Sequence, residues 1–241
     1  MHRLIPAIAL VPLLLTAPAL AADPPIIIDE PVDEVDASPW DGFYTGIHLG
    51  AARGVRAGCW DFGLTVDCAG GDFIDDFIYD QQGWLLGTQA GFNFALNESF
   101  VVGLEVSGSW ANIAGELNPG DIDAGIGTYD FLATGTARAG WTTDIFMLYA
   151  EGGIALANFN FQGNSGCSFD QTHTGGVVGL GAEVMVVENV SLFAEWNRVW
   201  IPTSQVGCTS FGFIPTSVEN GGVLDLIKVG LNAHFLTGEL V

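Results

Sequence analysis

Basic residues are scarce in this sequence: six lysines and arginines face 28 aspartates and glutamates in 241 residues. Phosphate contacts need Lys and Arg, so nucleic acid is excluded as a partner. Charge of either sign is scarce, at 14% of residues where a soluble domain carries roughly a quarter. Long apolar runs are missing as well. After residue 21 there is no stretch of about 18 consecutive apolar residues, so no later membrane helix is expected. The histidines do not cluster and no cysteines stand as C-x-x-C, so the pattern of a zinc site is absent. No spacing argues for a Ser–His–carboxylate arrangement. The expectation is a protein that is not an enzyme, with no cofactor and no metal.

What is present is apolar and small: 49% hydrophobic residues and 33 glycines. A chain this apolar without a helical span leaves β-strands that face lipid. The opening "MHRLIPAIALVPLLLTAPALA" has a basic start, a short apolar run and Ala19-Leu20-Ala21, the form of a cleaved secretory signal over residues 1–21. Residues 22–39, "ADPPIIIDEPVDEVDASP", read as an acidic, Pro-rich periplasmic linker. Cleavage removes Arg3 and no acid, leaving 28 acids against 5 bases and a net charge of −23. The barrel domain is expected over 40–235, with 236–241 as a short C-terminal extension.

From Phe43 onward, apolar and polar residues alternate with period two, the strand signature. "FYTGIHLGA" sets Phe43, Thr45, Ile47 and Leu49 opposite Tyr44, Gly46 and His48. "YDFLATGTARAGW" sets Tyr129, Phe131, Ala137 and Trp141 opposite Asp130, Thr134, Thr136 and Arg138. Eight strands follow, near 43–53, 83–96, 100–112, 129–141, 146–157, 173–186, 190–200 and 223–235. Tight links at Asn97–Ser99, Thr142–Ile145 and Val187–Asn189 alternate with long ones at 54–82, 113–128, 158–172 and 201–222. An even count of roughly ten-residue strands with alternating short and long links describes an all-β, eight-stranded antiparallel transmembrane up-and-down barrel of the bacterial outer membrane. Phe43, Trp110, Trp141, Phe146, Trp196, Trp200 and Phe235 sit near strand ends, where aromatic girdles lie.

Three strands carry a glutamate at similar depth: Glu105, Glu151 and Glu195, 46 and 44 residues apart. With Arg138, Glu183 and Lys228 they fall in the inward phase, and all but Lys228 stand five or fewer residues from a periplasmic turn. Arg138 lies between the carboxylates of neighbouring strands, and Lys228 neighbours Glu195. Eight strands enclose room for side chains only, so a salt-bridged closed lumen is expected before a gate or ion path. Arg53, Arg56 and Arg198 are expected at the outer end of the barrel wall, where they suit lipopolysaccharide phosphates. Four cysteines behind a secretory signal allow three pairings. Cys59–Cys68 and Cys167–Cys208 are the expected ones and would clamp the surface loops. Acidic clusters at Asp72, Asp75, Asp76 and Asp80, and at Asp121 and Asp123, read as solvated loops rather than Ca²⁺ sites. Tyr44 and His48 share the inward face of the first strand, where a hydrogen-bonded lumen histidine is expected before a haem ligand.

The stretches "WDGFYTGIHLGA" (40–51), "FVVGLEVSGSWANIAG" (100–115), "TARAGW" (136–141), "LYAEGGIALA" (148–157) and "LIKVGLNAHF" (226–235) resemble the small porin-like outer-membrane proteins of alphaproteobacteria, OmpA-type eight-stranded barrels. The resemblance spans nearly the whole mature domain. It implies an abundant surface protein that supports envelope integrity, in a group also described as haem binders, adhesins or weak pores. It further implies that Lys228, Gly230 and Phe235 belong to a signal read by the barrel-assembly machinery. Ala233 departs from that pattern, where an aromatic is usual, and so does the "LTGELV" that follows Phe235. The expected partners are outer-membrane lipid, lipopolysaccharide and the assembly machinery, with a homo-oligomer left open. The expected role is structural; a small cation-selective pore, or a surface binder of haem or a host ligand, are the alternatives.

Overall fold

The computed structural model describes residues 38–61, 76–117, 125–163, 166, 168–210 and 214–235. They form eight strands: β1 (Gly42–Asp61), β2 (Asp76–Asn97), β3 (Phe100–Leu117), β4 (Gly125–Thr142), β5 (Phe146–Gly163), β6 (Ser168–Val187), β7 (Val190–Ser210) and β8 (Ile214–Phe235). Each pairs antiparallel with its chain neighbour, and β1 pairs with β8 to close the ring. Closure leaves no sheet edge with unpaired N–H and C=O groups, which is the condition for strands to cross a bilayer.

The short turns are built by local chemistry. Asn97 Oδ1 accepts from the N–H of Ser99 and of Phe100 at 2.9 and 3.0 Å, closing the β2–β3 turn. Asn189 holds the β6–β7 turn at φ 66°, a left-handed conformation that Asn tolerates. Gly42 adopts φ 113° where the chain swings from Trp40 into β1.

Every strand runs past the expected boundaries. β1 reaches Asp61 and β2 begins at Asp76, and they pair from Gly42↔Asn93 out to Cys59↔Asp76. Much of the segment expected as a long loop is therefore hairpin. A 20-residue strand is about 66 Å long and, tilted by about 40°, rises about 50 Å, twice the height of a lipid-facing apolar band. The outer half of the sheet stands beyond the membrane. The expected signal (1–21), all but the last two residues of the linker, the extension 236–241, and Asp72, Asp75, Asp121 and Asp123 lie outside the described residues, as do the side chains of Asp76 and of Cys59, Cys68, Cys167 and Cys208.

The membrane band can be read from the outward aromatics. On β2 Phe94 and Trp84, on β3 Phe100 and Trp110, and on β4 Trp141 and Phe131 are all exposed and ten residues apart. Ten residues span about 33 Å along a strand and about 25 Å vertically at that tilt, the height of the apolar band in such barrels. Between these girdles the outward positions are apolar or small, as in Leu104, Val106, Ala137, Ile154, Leu180, Val229 and Leu231.

Of the register shifts along the barrel, one inverts the faces of a strand. A β-bulge between Tyr129 and Phe131 leaves Asp130 unpaired with β5 and inverts the side-chain phase of β4. Tyr129, expected outward with Phe131, is therefore buried in the lumen at 1% exposure, and Asp130 is exposed.

Candidate functional site

The barrel interior is stacked in layers. At the periplasmic end Trp40 is fully buried among Val101, Met147, Tyr149 and Met185. Its indole Nε1 donates to Thr143 O at 2.7 Å across the mouth, and its ring meets His234 edge-on at 5.6 Å. Asp41 Oδ1 accepts from the Ala95 N–H at 2.8 Å on the β2 side. The segment just before β1 is thus tied to the β4–β5 turn and to the end of β2, and floors the lumen with an indole.

Above this floor lies the charge network. Glu105, Arg138, Glu151, Glu183, Glu195 and Lys228 are all buried, each on a different strand from β3 to β8. Lys228 Nζ lies 2.6 Å from Glu195 Oε1. Arg138 Nη1 is 3.5 Å from Glu105 Oε2 and 3.9 Å from Glu183 Oε2, and its Nε donates to Asn93 Oδ1 at 2.9 Å. The guanidinium is held between two aromatic faces, 4.3 Å from the Tyr44 centroid and 5.1 Å from that of Tyr149. Those tyrosines donate in turn to Glu105 Oε2 at 2.7 Å and to Glu195 Oε2 at 2.8 Å. Arg138 was expected to bridge Glu105 and Glu151. Glu151 is instead its Cα neighbour across β4–β5 and accepts only neutral donors, Thr136 Oγ1 at 3.1 Å and Asn197 Nδ2 at 2.6 Å. Strand stagger carries the long guanidinium past the residue directly opposite to the more distant Glu183. Glu183 also accepts from Ser191 Oγ and from Asn232 Nδ2, the latter at 2.7 Å, and His234 Nε2 is 3.2 Å from it.

Glu105, Glu151 and Glu195 each offer an oxygen within 4.8 Å of the others, a spacing that suits a cation among the described residues. The Lys228 ammonium already occupies one side of that cluster. His48 has both ring nitrogens engaged, Nδ1 with Gln89 Oε1 at 2.5 Å and Nε2 with Ser109 Oγ at 2.8 Å. Gln89 Nε2 passes the chain on to Asn232 Oδ1 at 2.7 Å. With the Tyr44 hydroxyl given to Glu105, neither proposed haem ligand presents a free atom to the lumen.

The upper lumen is apolar. Ala52, Leu85, Ile113, Leu132, Ala155, Ala157, Val177, Val199, Leu224 and Leu226 are buried together at the level of the outer girdle. Period-two alternation predicts a small, polar inward face throughout, and this apolar layer departs from it. Its signal is legible in part: at Leu85 and Val199 the inward phase itself turns apolar, giving the runs Trp84-Leu85-Leu86 and Val199-Trp200-Ile201. Above the layer, Tyr79, Tyr129, Phe159 and Phe161 surround Arg56.

Arg56 corrects an expectation. It is fully buried; its guanidinium donates to the Tyr129 hydroxyl and lies 3.6 Å over the Phe159 ring. Position 56 is three residues beyond Arg53, an odd step, so the two side chains take opposite faces of β1. Arg53 and Arg198 do face outward. Arg198 grips Asp225 with two bonds, Nε to Oδ1 at 2.9 Å and Nη2 to Oδ2 at 2.8 Å. In β8, Lys228 points inward, Gly230 lies where a Cβ would collide with the Ile47 carbonyl oxygen, and Phe235 faces outward against Phe43 at 5.9 Å between centroids.

Comparison with known proteins agrees with this architecture. The 31 kDa outer-membrane immunogenic protein of Brucella melitensis is 25% identical over 221 residues, covering 83% of this chain and 86% of that one. The crystal structure of the outer membrane protein OprG from Pseudomonas aeruginosa matches with a TM-score of 0.57 at 15% identity, over 82% of this chain and 97% of that one. The outer membrane protease OmpT from Escherichia coli matches with a TM-score of 0.50 at 11% identity, over 84% and 99%, a likeness of fold alone. Residues 7–235 match the outer membrane protein beta-barrel domain family. An eight-stranded closed ring, a 25 Å apolar band between aromatic girdles and a charged interior place this chain in that family, as a protein of the bacterial outer membrane.

Proposed function

We propose that the protein is a structural, non-enzymatic component of the outer membrane whose lumen is closed. The observation that carries this reading is the stacking of the interior. The charge network is bounded below by the buried Trp40 and above by the apolar layer of Leu85, Ile113, Leu132 and Val199. An ion crossing the barrel would have to shed most of its hydration at this layer, where the lining is mainly apolar and the buried polar side chains are few, Ser109 opposite Leu132 and His173 opposite Ala157 among them. It would then have to separate Lys228 from Glu195 inside a low-dielectric site. The network therefore serves as internal bracing: its six charged residues lie on β3 to β8, and charge-assisted bonds from Tyr44 and to Asn93 bring in β1 and β2.

Two assays test the reading. Proteoliposomes of the refolded chain, preloaded with potassium, should retain it as well as empty liposomes do. A strain lacking the protein should become sensitive to bile salts and detergents, and the chain should restore resistance. Rapid potassium loss from the vesicles, or an unaltered envelope in the deletion strain, would contradict it.

A further inference from the structure

We propose that Glu105, Glu151, Glu195 and Asn197 form a Ca²⁺-type site inside the barrel, in which carboxylate oxygens and one amide oxygen hold a hard divalent cation. The three glutamates stand on β3, β5 and β7, so they reach the lumen from alternate strands. Among the described residues, each brings an oxygen within 4.8 Å of the other two. Two oxygens at that limit share a centre about 2.4 Å from each, within the range of Ca²⁺–oxygen bonds and longer than those of Mg²⁺.

The charge count of the network favours such an ion. Four carboxylates, Glu105, Glu151, Glu183 and Glu195, face two bases, Arg138 and Lys228, and all six are buried. With His234 neutral, the interior carries an excess of two negative charges, the charge that one divalent cation offsets. The two bases are unevenly shared. Lys228 Nζ is 2.6 Å from Glu195, and Arg138 Nη1 lies 3.5 Å from Glu105 and 3.9 Å from Glu183. Glu151 is bonded by neutral donors only, so the unmatched charge falls there.

A second feature, apart from the carboxylates, points to the same ligand. Asn197 is 1% exposed, and its Oδ1 has no hydrogen-bond partner among the described residues. Its Nδ2 donates to Glu151 Oε1 at 2.6 Å and to Glu195 Oε1 at 2.7 Å, which wedges the amide between the two carboxylates. Oδ1 and Glu151 Oε1 border the same space over Gly179, where a Cβ would stand 2.9 Å from each. A side chain at 179 would intrude between them; glycine does not. A buried acceptor without a donor costs free energy, and an amide oxygen beside a carboxylate oxygen is a donor pair that Ca²⁺ takes. The inference goes beyond the bracing role and does not depend on whether the lumen conducts.

The probe is Tb³⁺, which takes the same oxygen ligands as Ca²⁺ and emits when a nearby tyrosine is excited. Tyr44 and Tyr149 donate to Glu105 and Glu195 at 2.7 and 2.8 Å, so both stand beside the site as antennae. The full-length chain is refolded into detergent micelles with Tb³⁺, desalted, and mixed with excess EDTA, and gel mobility verifies folding of each variant. Wild type should show tyrosine-sensitised emission that Ca²⁺ present during refolding competes away, and EDTA should remove it slowly because the ion lies inside. Glu151→Gln should lower the emission about tenfold, and Asn197→Ala should lower it as well. Glu116→Gln, a change at an exposed acid outside the cluster, should leave it unaltered. The urea midpoints of wild type and Glu151→Gln, alike in EDTA, should separate by about 1 M after refolding with Ca²⁺ at roughly a hundred times its dissociation constant. Rapid removal by EDTA of an emission that still requires Glu151 would keep the site and refute the closed lumen, so the two readings fail separately. Equal emission from wild type and Glu151→Gln overturns the proposal, because the ion then sits on the acidic surface. Absence of sensitised emission from folded wild type overturns it too.

Discussion

Replacing Lys228 by Met removes the cation that faces Glu195 while keeping most of the side-chain volume. At the observed 2.6 Å and an effective dielectric constant near 20, the attraction lost is about 6 kcal/mol. Relief of the lysine's own desolvation offsets part of this, and breaking one partner of a buried pair costs about 3–5 kcal/mol in practice. The stranded carboxylate keeps its neutral donors, the Tyr149 hydroxyl and the Asn197 amide, but lies within 4.8 Å of Glu105 and Glu151. The assay is urea unfolding of the barrel refolded into lipid vesicles, followed by tryptophan fluorescence and gel mobility. With a slope of about 2 kcal/mol/M, the midpoint should fall by about 2 M. The double variant Lys228→Met, Glu195→Gln should recover at least half of that loss, since no unpaired charge is left behind. Glu151→Gln supplies the contrast: among the described residues Glu151 makes no direct ion pair and its bonded donors are neutral, so neutralising it should change stability by less than about 1 kcal/mol in either direction. The reasoning is refuted if Lys228→Met moves the midpoint by less than about 0.5 M, or if the double variant is as unstable as the two single losses added together.

Other outcomes follow from the same geometry. Trp40→Ala should cost about 3–5 kcal/mol, as for other buried large-to-small changes, and should quicken hydrogen exchange at Thr143 and Ala95. Arg56→Met should lower stability by about 1–2 kcal/mol in urea unfolding, because its guanidinium serves Tyr129 and Phe159 inside the barrel. Gly83→Ala should block refolding, since a Cβ there would collide with the Asn112 carbonyl oxygen and force β2 from β3; gel mobility reports the failure. Titrated haem should give no Soret shift that depends on His48, whose two ring nitrogens are already bonded; a shift lost in His48→Ala would revive a ligand-binding reading.

Period-two alternation in segments such as "FYTGIHLGA" was enough to read the strand count, the topology and the side of each strand that faces lipid. It placed Glu105, Glu151, Glu183, Glu195, Arg138 and Lys228 inside because a strand's two faces are fixed by odd and even positions. It could not place partners that depend on stagger, so the reach of Arg138 to Glu183 emerged only from the folded register. Bulges defeat alternation, and the inversion at Tyr129 follows from a residue count that no propensity announces. Arg56 was misplaced for a simpler reason: β1 was expected to stop at 53, and its continuation puts position 56 back on the inward face. Trp40 opens the domain in the sequence with no sign of burial; its burial is tertiary, set by the Thr143 carbonyl that its indole reaches and the end of β2 that Asp41 reaches.

The central claim is that the interior is a brace and not a path, and single-channel recording of the refolded mature chain in a planar bilayer tests it most directly. The account predicts a silent membrane for the wild type, and for Glu105→Gln and Glu151→Gln as well. Steady, cation-selective steps in the wild type, altered by either substitution, would mean that the glutamates line an open pore, and the account would be wrong.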